Sequence, residues 1–286
     1  MWSAENWKDY ELLDTSDGER LERWGKLILV RPDPQIIWHG AAKSPLWKRA
    51  DGVYRRSQSG GGAWVKNDLP ESWTIGYRDL RFVLRPMGFK HTGLFPEQAA
   101  NWDWFGELIR KAGRPVKVLN LFAYTGGATV AAAKAGAAVV HVDAAKGIVA
   151  QARENAQLSE LAEAPIRWIV DDCKKFVERE LRRGNRYDGI IMDPPSYGRG
   201  PGGEVWKLED SIDGLVSLAA QLLSPDALFF LVNSYTTGLS PMTMQYLLDL
   251  YVRRRLGGSL ECGELGLPVT ETGGCLPCGA SSRWFR

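Results

Sequence analysis

At 286 residues, with 44% hydrophobic and 24% charged side chains, the chain is long enough for one α/β domain with a smaller appendage. No apolar run approaches membrane-spanning length, and Met-Trp-Ser-Ala-Glu-Asn-Trp-Lys at the start does not read as a signal peptide. Four scattered cysteines exclude a disulfide scaffold, so a reducing cytoplasm is the expected setting.

Residues 1 to about 90 alternate short β-type runs (Lys26–Val30, Gln35–Trp38, Ala63–Val65, Leu80–Leu84) with Gly, Pro, Asp and Ser turns. This reads as a small β-rich N-terminal domain, with Ser57-Gln-Ser-Gly-Gly-Gly62 as a hairpin tip. The net charge of +2 hides an asymmetry. Residues 43–90 hold ten Lys or Arg against four acids, interleaved with Trp47, Trp64, Trp73, Tyr54 and Tyr77. Basic residues contact phosphates and aromatic faces stack on bases, so the mixture suits looped or single-stranded RNA. The competing reading is a small β core built from large aromatics with its charges solvated.

From Pro96 to Ala112 the spacing of Trp102, Phe105, Leu108 and Ile109 predicts a helix. Strands are then predicted over Val116–Leu121, Ala138–Val142, Ile166–Val170, Tyr187–Met192 and Ala227–Val232. Between them come helices near Ala128–Ala135, Lys146–Ser159, Lys174–Arg183 and Leu208–Leu223. A helix near Pro241–Arg254 and two strands, Ser259–Leu265 and Ser281–Phe285, close the chain. Near-continuous apolar strands between helices predict a Rossmann-like α/β fold with a mainly parallel sheet, seven strands in all. Residues 1–90 and 91–286 are the expected domains.

In such a sheet, ligands bind at the C-terminal strand tips. Four features fall there: Gly126, Asp143, Asp172 and Asp193 each follow a predicted strand. The run Val118-Leu-Asn-Leu-Phe-Ala-Tyr-Thr-Gly-Gly127 ends in a glycine bend that opens a helix, which would bring backbone amides close to a ligand. Asp143 ends the next strand, where a carboxylate can accept hydrogen bonds from both hydroxyls of a ribose. Tyr124-Thr-Gly-Gly-Ala-Thr129 misses two glycines of the dinucleotide fingerprint. A ribose-bearing ligand without a pyrophosphate fits better, S-adenosylmethionine being the commonest, although the loop alone leaves a dinucleotide open.

Asp193-Pro-Pro-Ser-Tyr197 follows the fourth strand. Two prolines fix φ and remove two amide donors, so the chain leaves the sheet rigidly with its carbonyls outward. An acid and rigid carbonyls there can hold a planar nitrogenous base beside a methyl donor; the alternative is an ordinary loop. Cys275-Leu-Pro-Cys278 has metal or redox spacing but lacks a second ligand pair, so a turn before the last strand is expected, and no metal.

Taken together, these motifs resemble class I S-adenosylmethionine-dependent methyltransferases, specifically the group containing the cytosine-5 methyltransferases of large-subunit ribosomal RNA. The likeness covers roughly residues 88–286 and rests on His91–Gln98, Asn120–Gly127, His141-Val-Asp143, Val170–Cys173 and Asp193–Tyr197. The larger relatives carry an N-terminal PUA domain, to which residues 1–90 show no clear match. The resemblance implies that backbone around Ala123, Tyr124, Thr125, Gly126 and Gly127 cradles the methionine part. Asp143, with Ala144 beside it, takes the ribose, and Asp172 with the amide of Cys173 meets the adenine edge. Phe95 and Gln98 would close over the methionine end, and Asp193, Pro194 and Tyr197 would serve the reacting base. Asp172 is also placed to be a helix N-cap.

Cytosine-5 enzymes need a cysteine thiolate, which the relatives keep after the fifth strand. This chain has Val232-Asn-Ser-Tyr-Thr-Thr-Gly238 there and Ser196 after the prolines. A nitrogen acceptor in RNA is therefore expected, since nitrogen has its own lone pair. A methyltransferase for a small molecule or protein stays open, as does a non-catalytic cofactor-binding module. The oligomeric state is not legible.

Overall fold

A computed structural model describes residues 1–286 apart from 40–42, 58–60, 200–204 and 237. The chain divides into two compact units, each described by itself. One comprises Met1, Asn101–Leu265 and Gly279–Arg286; the other comprises Trp2–Ala100 and Gly266–Cys278.

The first unit is built on strands β1 (Lys117–Leu121), β2 (Ala138–Asp143), β3 (Ile166–Val170), β4 (Gly189–Met192), β5 (Phe229–Ser234), β6 (Ser259–Pro268) and β7 (Cys275–Phe285), of which Gly266–Pro268 and Cys275–Cys278 are counted with the other unit. Their order in the sheet is β6-β7-β5-β4-β1-β2-β3. Strands β1 to β5 pair in parallel, and β7 runs antiparallel to β5. The expected mainly parallel Rossmann-like sheet is therefore present, with eight strands where seven were expected, because the short strand Trp2–Ser3 pairs with β6. The helices are α1 (Ala99–Lys111), α2 (Gly127–Lys134), α3 (Lys146–Leu158), α4 (Cys173–Arg182), α5 (Leu208–Ala220) and α6 (Pro241–Leu248). Parallel strands need crossover helices, which explains the alternating pattern of the sequence. Leu119, Leu121, Val140, Ile190, Met192 and Phe230 pack with Phe176, Leu215 and Val216 in one buried core. The stretch predicted as one helix to Arg254 instead ends α6 at Leu248 and continues as a π-turn over Asp249–Arg253.

One element of this unit had no sequence signal. Tyr197–Arg199 and Val205–Lys207 form a short antiparallel hairpin immediately after Asp193-Pro-Pro-Ser196. No helix among the described residues is long and apolar enough to cross a membrane.

The second unit holds a five-stranded sheet in the order Tyr10–Ser16, Glu19–Trp24, Leu27–Pro32, Gly52–Arg56, Gly62–Asn67, plus the hairpin Trp73–Tyr77/Leu80–Leu84. Gln35–Trp38, predicted as a strand, is not one. Asp33 turns the chain, accepting from Gln35 N–H through its side chain and from Ile36 N–H through its carbonyl, and Pro34 removes a ladder donor. Of the tip predicted at Ser57–Gly62, residues 58–60 lie outside the described residues. Cys275-Leu-Pro-Cys278 lies within β7, not in a turn before it. Tyr54 and Tyr77 are core residues and the three tryptophans are half-buried. Trp47 Nε1 donates to Asp14 and Trp64 Nε1 to Met87 O. The aromatics of this stretch thus build the domain, which is the competing reading of their spacing.

Candidate active site

Strands β1 and β4 lie side by side in register, Leu121 opposite Met192, so the loops that follow them leave the sheet together. The β1 loop is held in a rare conformation: Phe122 (φ 55°), Tyr124 (φ 49°) and Gly126 (φ 82°) are all left-handed. For two non-glycine residues this is backbone strain, which persists only where surroundings enforce it and which clusters at functional sites. The enforcing contacts are visible. Ala123 N–H donates to Val142 O (3.1 Å) and Gly126 N–H to Ala123 O (3.0 Å). Phe122 N–H points at Cys173 Sγ (3.3 Å), and Tyr124 N–H donates to Asp143 Oδ2 (2.9 Å).

The two glycines are required by packing within the protein. A Cβ on Gly126 would come within 2.9 Å of Ala152 Cβ, and one on Gly127 within 2.7 Å of Trp102 Cζ2. The close approach expected between glycine backbone and a ligand is thus also a close approach of α2 to α3 and α1.

Beneath the loop runs a relay of neutral groups that the sequence did not announce. Asn120 Nδ2 on β1 donates to Thr129 Oγ1 on α2 (2.9 Å), which lies 2.9 Å from His141 Nδ1 on β2. Asn155 Nδ2 on α3 donates to Thr125 O (2.8 Å) and ties the loop down from the other side. Burial, with Arg153 nearby, holds His141 neutral with its pKa lowered to about 3. His141 Nε2 finds no hydrogen-bond partner among the described residues.

Asp143 is half-buried at the tip of β2. Its Oδ1 accepts from Ala145 N–H (3.0 Å) while Oδ2 accepts from Tyr124 N–H. Burial pushes its pKa up, opposed by the amides of Ala145, Tyr124 and Ala144. The carboxylate is fixed in orientation, and each carboxylate oxygen can accept more than one hydrogen bond. That geometry fits a vicinal diol. At the tip of β3, Asp172 caps α4, Oδ1 accepting from Lys175 N–H (2.8 Å). The alternative weighed for Asp172 is therefore realised, with its second oxygen outside that bond. The Cys173 side chain turns inward against Phe122 N–H and Val142 O, and burial pushes its thiol pKa far up.

At the tip of β4, Asp193 is half-buried, Pro194 buried, and Tyr197 54% exposed. Asp193 N–H donates to Leu121 O across to β1 (3.4 Å). The carbonyls after β4 were expected to point outward. That of Pro195 is instead taken by Trp206 Nε1 at 2.7 Å, and that of Ser196 by Leu208 N–H at 3.0 Å. Trp206 also packs on Phe122, ring centroids 5.1 Å apart. Its position in an undetected hairpin is why sequence reasoning missed it. Asn233 lies near the end of β5. Ser281 Oγ (2.6 Å) and Asn101 Nδ2 (3.1 Å) donate to its Oδ1, and buried Arg283 donates to Asn101 Oδ1.

The structure thus brings Ala123 to Gly127, Asp143, Ala144, Asp172, Cys173, Asp193, Pro194 and Tyr197 to one edge of the sheet, after β1, β2, β3 and β4. Phe95 and Gln98 belong to the second unit. There Gln98 is buried in the 3₁₀ turn Pro96–Gln98, its N–H on Phe95 O (3.1 Å), and the Phe95 ring lies 5.1 Å from that of His91. Among the described residues no group of three or more His, Cys, Asp or Glu could hold a metal ion.

Comparison with known proteins follows the same lines. A family model described as S-adenosylmethionine-dependent methyltransferase matches residues 42–238. The ribosomal RNA large subunit methyltransferase K/L of Shewanella sp. (strain MR-4) is 33% identical over 154 residues, covering 51% of this chain and 20% of that protein. The protein of that name from Syntrophotalea carbinolica is 30% identical over 185 residues, 63% of this chain and 25% of the relative. The chain thus spans only 20% to 25% of the length of these relatives. A SAM-dependent methyltransferase of Agrobacterium tumefaciens, known from its crystal structure, superposes with a TM-score of 0.93 at 38% identity, over 99% of this chain and 92% of that one. The glycine bend, the ribose-type carboxylate and the sheet order therefore have a common explanation: this chain belongs to the S-adenosylmethionine-dependent methyltransferase family.

Proposed function

We propose that the chain methylates a ring or exocyclic nitrogen of a base in RNA, with ribosomal RNA as the favoured substrate and the cytoplasm as the setting. The observation that supports this reading best is the registered exit of the β1 and β4 loops, with the Asp193-Pro-Pro loop leaving the sheet beside the glycine-bend loop. The ribosomal RNA methyltransferases among the relatives support the substrate class.

The residues present fit the cofactor, because Asp143 is held by two amides with its outer lone pairs suited to a diol. In this reading Ala123, Tyr124, Thr125, Gly126 and Gly127 line the methionine part. Asp143 and Ala144 hold the ribose, and Asp172 with the Cys173 amide holds the adenine. When bound, S-adenosylmethionine supplies an electrophilic methyl on a sulfonium. The acceleration then comes from positioning and from a polar, water-poor site. Asp193 and the Pro194 carbonyl orient the acceptor nitrogen through its N–H, and Tyr197 stacks on the base. Residues 1–90 form the RNA-holding domain and 91–286 the transferring one.

Neither Cys173 nor Cys262 supports carbon-5 chemistry. Cys173 is buried with its thiol pKa pushed far up, and Cys262 lies on β6, separated from β4 by β7 and β5. The stretch Val232–Gly238, where the cytosine-5 enzymes would need their cysteine, holds no thiol. The test is labelled methyl transfer to ribosomal RNA, to cell proteins and to a metabolite panel, followed by mass spectrometry of the RNA nucleosides. An N-methylated base is expected. Label in metabolites or protein alone, or in 5-methylcytidine, would overturn the reading.

A further inference from the structure

We infer that Trp206 is a positioning residue that locks the acceptor loop after β4 to the cofactor loop after β1. This rests on the methyl-transfer reading above and adds to it a residue to which the motifs give no role.

Three of the contacts on the acceptor loop beyond Pro194 come from different elements. Trp206 Nε1–H donates to Pro195 O (2.7 Å) from the hairpin. Leu208 N–H donates to Ser196 O (3.0 Å) from the start of α5. Thr236 Oγ1 donates to Ser196 Oγ (2.7 Å) from the segment after β5. The Trp206 side chain also touches the cofactor loop, its ring tilted 52° on Phe122 with centroids 5.1 Å apart. Phe122 is itself in the left-handed region at φ 55° and anchored through its N–H to Cys173 Sγ. The indole therefore spans two loops that leave adjacent strands, one placing the methyl donor and the other the acceptor.

In-line transfer makes the separation and angle between donor and acceptor decisive, and a misplacement of about 1 Å can lower the rate about 100-fold. Proline explains why this contact falls on a carbonyl: Pro195 has no N–H to offer, so the loop can be gripped there only by a donor. Trp supplies that donor together with a ring wide enough to reach Phe122.

The test uses Trp206→Phe, which keeps a ring against Phe122 and removes the hydrogen bond, and Trp206→Ala, which removes both. Hydrogen–deuterium exchange of the cofactor-free protein is expected to rise at the Ser196–Gly198 amides in both variants and at Phe122–Gly127 in Trp206→Ala. It should stay unchanged in α3 and α4. Methyl transfer by Trp206→Phe is expected to lose about tenfold in kcat, with KM for RNA and the Kd for S-adenosylhomocysteine within twofold of the parent. Unchanged exchange in both loops would overturn the inference, as would unchanged kcat. A kcat loss matched by a comparable loss of S-adenosylhomocysteine affinity would also overturn it, because the residue would then serve binding. The exchange measurement needs no acceptor, so it decides the inference even where the parent methylates no RNA, a result that would count against the proposed substrate and not against Trp206.

Discussion

The charge cluster of the β-rich unit and the groups around the candidate site of the methyltransferase unit bury polarity in opposite ways. In the β-rich unit, Glu22 is fully buried with both oxygens committed to Arg31 (2.6 and 2.8 Å), and Tyr10 donates to it at 2.8 Å. Arg20 lies 3.4 Å from Glu22 and 3.5 Å from Asp33. In the methyltransferase unit the groups beneath the site are neutral, Asn120, Thr129 and His141, while Asp143 and Asp193 stand half-buried at strand tips. A fully buried and fully paired charge has no capacity left for a ligand, and removing one partner is strongly destabilising. A half-buried carboxylate at a strand tip instead stays within reach of a ligand. The comparison predicts that acids of the first kind hold the fold and acids of the second kind do the chemistry.

The largest expected effect tests the ionic side. Glu22→Ala should destabilise the protein by about 3–5 kcal/mol in urea unfolding, since it strands Arg31 and Arg20 in a dry interior. Burial raises the Glu22 pKa, but Arg20 and Arg31 overrule it and lower it from 4.5 to about 2. The folded value lies below the unfolded one, so this stabilisation is complete above about pH 4.5 and is lost as pH falls toward 2. Acid unfolding of the parent should show that window and Glu22→Ala should lack it. A variant as stable as the parent would end the contrast.

Asp193→Ala should lower methyl transfer about 100- to 1000-fold, the usual range for one orienting group at a reacting centre. Its urea midpoint should stay close to that of the parent. Loss of folding instead of rate would move Asp193 to the structural class. Asp143→Ala should weaken S-adenosylmethionine binding by about 1.5–3 kcal/mol in calorimetry, because it removes charge-assisted hydrogen bonds; unchanged affinity would remove the ribose assignment.

Thr129→Val keeps the shape and breaks the neutral relay, leaving Asn120 and His141 unpaired in the interior. A loss of about 1–3 kcal/mol is expected, smaller than for Glu22→Ala. The smallest effect concerns RNA. Arg55 is committed to Glu19, whereas Arg56 is exposed and forms no ion pair among the described residues. Arg56→Glu should therefore flatten the salt dependence of RNA binding by about one unit of slope, and Arg55→Glu by less. Equal slopes for parent and both variants would return the basic stretch to a solvated surface.

Local pattern determined the parts of this protein whose chemistry is written in consecutive residues. The apolar strands between helices specified a parallel sheet, because only crossover helices can connect such strands. The glycine bend and the acids that end β2, β3 and β4 were legible because a strand tip is a place in the sequence as much as in space. Tertiary structure decided the partners. Trp206 meets Pro195 and Phe122 from a hairpin whose short strands carry no periodicity. The Asn120–Thr129–His141 relay joins two strands and a helix, and Glu22 gathers its cations from two strands of a sheet. Aromatic and basic residues in residues 43–90 read better as a stacking surface than as a core, and folding settled the tyrosines inward. Composition fixes which side chains are present; only the packing of distant segments fixes which of them spend their hydrogen bonds on the protein and which keep them for a ligand.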